Sequence, residues 1–223
     1  MKKLLLIMIA AVAVAIVPAH AGIYSQALNL NGDGGYYSYP SQQIADAFQL
    51  SVGASLVSLD WYGDNFANAF PATVAFTINL YNDAGGLPAA SPFSSQSVTA
   101  SATDTGISEA DCCTASAEIF LFNATLPSAV SLSGGTTYWL SILDESGSSN
   151  TFRWANGTTT WGGDFPEECC TPGSWFNISD TTRAQTAYDL NPASSGVPEP
   201  ASCLLLGIGL VGLGALRRKL ARS

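Results

Sequence analysis

Residues 74–81 read VAFTINLY, a pattern in which apolar side chains recur at every second position. This period of two places one set of side chains on each face of a strand, so the segment is predicted to be a half-buried β-strand. Residues 82–88 follow as NDAGGLP and are predicted to end the strand in a turn, because Asn, Asp, Gly and Pro favour turn conformations.

Working outward, residues 136–143 form a second clear strand pattern, entered through Ser133-Gly134-Gly135. No long helical period appears between Gly22 and Asn191. Six or more short strands separated by turns predict an all-β fold, namely an antiparallel β-sandwich of the jelly-roll or immunoglobulin-like type. The weaker strand predictions fall at residues 56–61, 118–122, 151–154 and 187–190.

Residues 1–21 are predicted to form a signal helix that is cleaved after Ala21. Lys2 and Lys3 supply a positive start, Leu4 to Val17 is apolar, and small residues precede the cleavage position. The alternative is an uncleaved membrane anchor, but fourteen helical residues span only about 21 Å of a ~30 Å hydrocarbon core. Cleavage would also remove His20, the only histidine.

Residues 193–223 contain three elements in a fixed order. A linker leads to Pro198-Glu199-Pro200, then to the Gly-rich apolar stretch Ala201–Leu216, and then to a basic tail. The stretch would form about 24 Å of helix, on the short side for a single transmembrane helix. Arg217, Arg218 and Lys219 are expected to hold the tail in the cytoplasm and the preceding domain outside.

This arrangement resembles the PEP-CTERM sorting signal of Gram-negative bacteria. The resemblance implies processing by an exosortase, a membrane cysteine protease-transpeptidase, in species that make extracellular polysaccharide. It further implies export across the inner membrane, a membrane-anchored precursor, and a mature form at the cell surface or outside the cell. The alternative is an ordinary tail anchor that follows a proline-rich linker.

Residues 22–192 are expected to form the outer domain. Four ordered pieces resemble a β-sandwich domain common among PEP-CTERM proteins, and this resemblance implies no catalytic motif. These pieces are Ala45–Leu50 (ADAFQL), Trp61–Gly63 (WYG), Tyr81–Pro88 (YNDAGGLP) and Gly135–Leu140 (GTTYWL).

The outer domain is strongly acidic. Residues 22–196 contain two arginines, no lysine and 16 carboxylates, so their formal charge is −14. Such a domain would repel a phosphate backbone, which argues against nucleic acid as a partner.

Four cysteines of the outer domain form two adjacent pairs, Cys112-Cys113 and Cys169-Cys170. Outside the cell disulfides are expected. A bond between neighbouring residues strains the peptide between them, so we expect two bridges between the pairs, or one bridge and two thiols. A four-thiolate zinc site is the alternative, but structural zinc usually takes cysteines spaced by two to four residues. No metal or cofactor is therefore predicted.

Without histidine or an outer-domain lysine, the mature chain lacks the residues for Ser-His-Asp, Cys-His and Ser-Lys catalysis. A carboxylate pair of the glycosidase kind remains as the enzymatic alternative. The residues considered for it are Asp60, Asp64, Asp144, Glu145, Glu167 and Glu168.

The main hypothesis is a non-enzymatic surface or matrix protein associated with exopolysaccharide or biofilm. A carbohydrate-binding module is the alternative, because exposed aromatic side chains on a sandwich can stack on sugar rings. Its candidate contacts are Trp61, Tyr62, Trp154, Trp161 and Trp175.

Overall fold

The computed structural model describes residues 22–29, 35–38, 42–65, 70–110, 116–146, 152–160, 165–169, 174–178 and 184–193. The chain divides into two units, Met1–Ala193 and Ser194–Ser223, and all described ranges belong to the first. None of the described residues belongs to a helix that could span a membrane. The predicted signal helix and the predicted membrane segment both lie outside these ranges.

The described residues form fourteen strands. In chain order these are β1 (Tyr24–Gln26), β2 (Gly35–Tyr37), β3 (Gln42–Ile44), β4 (Asp46–Gln49), β5 (Ala54–Asp64), β6 (Thr73–Asn82), β7 (Ser94–Ala110), β8 (Ser116–Leu132), β9 (Thr137–Asp144), β10 (Arg153–Thr160), β11 (Phe165–Cys169), β12 (Trp175–Ile178), β13 (Ala184–Thr186) and β14 (Tyr188–Pro192).

Eleven strands form one sheet and three form another. The main sheet runs in the order β1, β14, β5, β8, β7, β6, β9, β4, and beside this path β10 pairs with β2, β5 and β13. The smaller sheet has the order β12, β11, β3. All pairs are antiparallel, so the prediction of an all-β antiparallel fold is confirmed.

The long hairpin of β7 and β8 splits the main sheet into two layers. Its strands pair from Ala110 opposite Ser116 to Ser101 opposite Asn123. Beyond that point β7 remains paired with β6, and β8 remains paired with β5. The side-chain amide of Gln96 bridges the opening, donating to the Ser128 carbonyl oxygen at 3.0 Å and accepting from the Ser128 N–H at 2.9 Å.

Aromatic side chains join the two layers across the interior. The Trp61 ring on β5 meets the Phe76 ring on β6 edge to face, with centroids 5.1 Å apart. At the ends of the sheet path, Tyr24 on β1 lies 5.7 Å from Phe48 on β4. The main sheet is therefore rolled, and the apolar face of each layer covers that of the other.

The predicted alternation of residues 74–81 is explained by this packing. Val74, Phe76, Ile78 and Leu80 are buried in the main core, whereas Ala75 faces solvent. Phe76 also meets the rings of Phe122 and Phe152 at 5.2 and 5.1 Å. Each such side chain contributes roughly 1.5–3 kcal/mol through burial.

A second, smaller cluster lies apart from the main core. It contains Ala45, Ala47, Tyr81 and Trp139, with the half-buried Trp175 of β12 packed against it. The Tyr81 and Trp175 rings meet edge to face at 5.3 Å. Tyr81 is thus buried on the opposite face of β6 from Leu80, which explains why the alternation stops distinguishing a core face from a solvent face there.

Candidate functional site

The described chain leaves the β domain at Ala193, at one end of the rolled sheet. The Ala193 N–H donates to the Ser55 carbonyl oxygen at 2.8 Å. Three turns lie at the same end: residues 50–53 between β4 and β5, residues 83–93 between β6 and β7, and residues 133–136 between β8 and β9. We call these turns together with Ala193 the exit end.

The exit end is built from close backbone contacts. The Gly135 N–H donates to the Leu50 carbonyl oxygen at 2.8 Å, and Gly135 has a φ of +70°. A Cβ on Gly134 would lie 2.8–2.9 Å from backbone atoms of Val52 and Gly53, so the two turns touch where only glycine fits. These contacts hold together the turns at residues 50–53 and 133–136, each of which connects a strand of one layer to a strand of the other.

One charged residue, Asp83, lies among the turns of the exit end. Its carboxylate accepts hydrogen bonds from the N–H groups of Gly85 and Gly86 at 3.2 and 3.1 Å, and from Trp139 Nε1 at 3.0 Å. Because these donors occupy it, Asp83 serves to order the turn predicted at residues 82–88.

The opposite end carries a group of charged residues. We call it the acidic end and define it by Asp64, Asp104, Glu118, Asp144, Glu145 and Arg153. Arg153 Nε lies 2.6 Å from Asp64 Oδ1, and both side chains are buried. This pair neutralises itself, so Arg153 offsets none of the exposed negative charge.

The six carboxylates considered for glycosidase chemistry occupy different environments. Asp60 accepts from the side-chain amides of Asn123 and Asn191, and Asp64 accepts from Arg153. Asp144 is buried and accepts from the Ser146 N–H at 2.8 Å. The side chains of Glu167 and Glu168 lie outside the description.

Among the four of these carboxylates whose side chains are described, Glu145 is the exposed one. It borders an open groove of about 540 Å³ on the outer face of β6 and β7. The remaining lining residues carry no charge, and they are Ala75, Phe76, Thr77, Ser97, Val98 and Thr99. The groove therefore holds one carboxylate among its lining residues, whereas glycosidase chemistry requires two.

The candidate sugar-stacking aromatics separate into buried and accessible groups. Trp61 and Trp154 are fully buried, so the prediction that they contact a carbohydrate is wrong. Trp61 stacks on Phe122 at 5.6 Å, and Trp154 Nε1 donates to the Ala187 carbonyl oxygen at 3.1 Å. Both hold the core together instead.

Tyr62 and Trp175 remain half-buried, and Trp161 lies outside the described residues. Tyr62 is on the outer face of β5, two residues from Asp60. Burial is the largest cause that raises the pKa of its phenol, and the nearby Asp189 and Asp60 carboxylates raise this pKa further. Tyr62 therefore stays protonated and can donate a hydrogen bond from a polar surface.

Asp46 is a buried carboxyl that no sequence motif marks as a titratable site. Its Oδ2 accepts from the Thr186 N–H and the Thr186 hydroxyl, both at 2.7 Å, which links β4 to β13. Burial raises the pKa of Asp46 to about 7, although the hydrogen bonds from Thr186 and Ala47 oppose this. Its apolar neighbours, Ala45, Ala47 and Phe48, were the signal that could have indicated burial.

The remaining predicted sites lie largely outside the description. Cys112, Cys113 and Cys170 are not among the described residues, and Cys169 is described only as the last residue of β11. Among the described side chains, no group of three or more His, Cys, Asp or Glu could hold a metal ion.

The sorting residues also lie outside the described ranges, so their assignment depends on sequence comparison. No curated protein matches this chain. Residues 196–219 match the family model of the PEP-CTERM protein-sorting motif. This range includes Pro198, Glu199 and Pro200 as well as Arg217, Arg218 and Lys219. The chain therefore carries a PEP-CTERM protein-sorting motif at residues 196–219.

Proposed function

We propose that this chain is an exported surface protein whose β domain is displayed outside the cell after an exosortase processes its C-terminal segment. The observation that carries the proposal is the sorting-motif match at residues 196–219. A signal pattern at residues 1–21 supports export, and the basic residues after Leu216 favour a tail that stays in the cytoplasm.

The β domain serves a binding or structural role rather than catalysis in this proposal. The environments of Asp60, Asp64 and Asp144 support it, since each of these carboxylates accepts hydrogen bonds from the protein itself. Glu145 borders a groove whose other lining residues carry no charge. We expect the displayed domain to associate with extracellular polysaccharide or biofilm matrix.

A carbohydrate-binding module is the second candidate, and Tyr62 is the observation that favours it. This half-buried phenol shares the outer face of β5 with Asp60, whose carboxylate is held by Asn123 and Asn191. An aromatic ring beside fixed polar groups is suited to bind a sugar. Retention of the processed protein on immobilised polysaccharide would support this candidate, and absence of retention would favour a purely structural role.

The sorting proposal is tested by Glu199→Ala in a host that contains an exosortase. The variant should be exported but should remain as full-length precursor in the inner membrane, because the protease no longer recognises the Pro-Glu-Pro segment. The measurement is cell fractionation followed by detection with an antibody against the β domain. The wild-type protein should instead appear without its tail, at the cell surface or in the medium.

Glu145→Ala is the matched control, since it makes the same change at an exposed position of the β domain. It should be processed like the wild type. Normal processing of Glu199→Ala, or a wild-type protein that keeps its tail, would refute the proposal and favour a plain tail anchor.

A further inference from the structure

The two ends of the β domain differ in charge and in apolar exposure. The three turns of the exit end contain Asp83 as their one charged residue. They also expose two large apolar side chains, since Val52 is 75% exposed and Phe93 is 42% exposed. The acidic end carries the exposed or half-buried carboxylates Asp104, Glu118 and Glu145.

The exit end is also the end nearest to the predicted membrane segment along the chain. Eight residue steps separate Ala193 from Ala201, and a fully extended chain of that length spans at most about 29 Å. The ten steps of β5 between Ala54 and Asp64 place the acidic end about 33 Å from the exit end. The exit end therefore always lies within reach of the bilayer while the precursor is anchored.

Electrostatics favour one orientation of the tethered domain. Carboxylates are repelled by anionic phospholipid headgroups and lose hydration at a bilayer surface, so the acidic end is driven away from the membrane. Val52 and Phe93 gain by entering the interface, where aromatic and aliphatic side chains are favoured. The short tether supplies a high effective concentration, so even this small apolar area suffices.

We infer that, in the anchored precursor, the exit end rests on the outer surface of the membrane, with the Val52 and Phe93 side chains in contact with phospholipid. This inference rests on the proposed function, because it requires the C-terminal segment to anchor the chain. The contact presents the linker at residues 194–200 close to the bilayer, where a membrane protease works. The lipid contact is lost once the C-terminal segment is cleaved, because the released domain has no tether to the membrane.

The test compares two exposed phenylalanines of similar accessibility. Phe93 lies in the exit end, whereas Phe176 is 47% exposed on β12. Phe176 pairs with Glu167 of β11, and Glu167 pairs with Ile44 of β3. Asp46, two residues after Ile44, pairs with Leu140 of β9. The exit end lies three residues earlier along β9, where Thr137 pairs with Gln49. Phe176 is therefore displaced from the exit end along the strands.

Each phenylalanine is replaced by the photo-crosslinking residue p-benzoylphenylalanine in the full-length precursor. The precursors are reconstituted in vesicles of phosphatidylethanolamine and phosphatidylglycerol, illuminated, and analysed for lipid adducts by mass spectrometry. We expect a severalfold excess of lipid adducts from Phe93→p-benzoylphenylalanine over Phe176→p-benzoylphenylalanine. Processed protein that carries the Phe93 replacement should form no adducts with the same vesicles.

The outcomes separate the two proposals. A precursor that fails to float with the vesicles is not membrane-anchored, which refutes the proposed function and this inference with it. A precursor that floats but gives equal or no lipid adducts at the two positions leaves the anchor intact and overturns the lipid contact. Crosslinks between two copies of the chain at Phe93 would also overturn it, because the exit end would then be a self-association surface.

Discussion

The exit end and the acidic end are stabilised by different kinds of interaction. The exit end is held by backbone contacts between turns, in which Gly134 and Gly135 allow close approach and a left-handed conformation. The acidic end depends on a buried ion pair between Asp64 and Arg153, and it presents carboxylates to solvent. The turns of the exit end contain one charged residue and the acidic end contains six, so charge is sparse where the described chain leaves the domain.

The strongest test of this comparison is Arg153→Ala at the acidic end. Removal of the guanidinium would leave the Asp64 carboxylate buried without its cation, so the free energy of unfolding should fall by about 3–5 kcal/mol. Urea unfolding of the processed protein measures the change. Val52→Ala at the exit end is the control and should stay within about 0.5 kcal/mol of the wild type, because Val52 is largely exposed.

Replacing both members of the Asp64–Arg153 ion pair tests whether the destabilisation comes from the unpaired buried carboxylate. Asp64→Ala combined with Arg153→Ala removes the unpaired charge and should be less destabilising than the sum of the single changes. If Arg153→Ala proved as mild as Val52→Ala, the ion pair would not stabilise the acidic end and the contrast between the ends would be wrong.

The next test asks whether the pH dependence of stability comes from the acidic surface or from the interior. The folded-state pKa of Asp46 is about 7, above its ordinary value of 3.8, so the folded protein holds this proton more tightly than the unfolded chain. Its contribution to stability is full below pH ~4 and is lost as the pH rises through 7. The loss is on the order of 4 kcal/mol.

Asp46→Asn removes this titration while keeping an oxygen that can accept from Thr186. The stability of the wild type relative to Asp46→Asn should therefore decrease between pH 4 and pH 8, as measured by urea unfolding across that range. Glu145→Gln, at the acidic end, controls for the loss of one surface charge. A wild-type to Asp46→Asn difference that stays constant with pH would show that Asp46 does not titrate in this range.

The smallest expected effect is at the exit end. Gly135 has a positive φ and nothing within 4 Å of the position of an added Cβ, so Gly135→Ala adds backbone strain without a clash. The cost should be about 1–2 kcal/mol of the free energy of unfolding. Gly135→Asn is the matched variant and should cost less, because Asn adopts the left-handed conformation more readily. Equal effects of the two would point to a cause other than the backbone conformation.

Several local features of the β domain were predictable from sequence because they depend on near neighbours. The alternation of residues 74–81 corresponds to β6, and the pattern after Gly135 corresponds to β9. The turn at residues 82–88 forms around the Asp83 carboxylate. The pieces Ala45–Leu50 and Gly135–Leu140 supply Asp46, Trp139 and Gly135, which act in the packing of the fold.

Other strands gave weak patterns for identifiable reasons. In β5 a register shift between Leu56 and Ser58 resets the alternation, so apolar residues occur at both even and odd positions. The 17-residue strand β7 was not predicted, because its sequence is mostly Ser, Thr and small residues. Val98 and Ala100 are its buried apolar residues, and its pairing with β6 and β8 holds it in place.

The predicted signal pattern, the sorting motif, the acidic charge of residues 22–196 and the all-β class could all be read from sequence, because each is a property of composition or of residues close in the chain. The packing of distant strands makes Trp61 and Trp154 core residues and leaves Tyr62 on the outer face. The same packing brings Arg153 to Asp64, 89 positions away. Burial and ion pairing depend on which distant strands cover a residue, and a local pattern carries no record of that pairing.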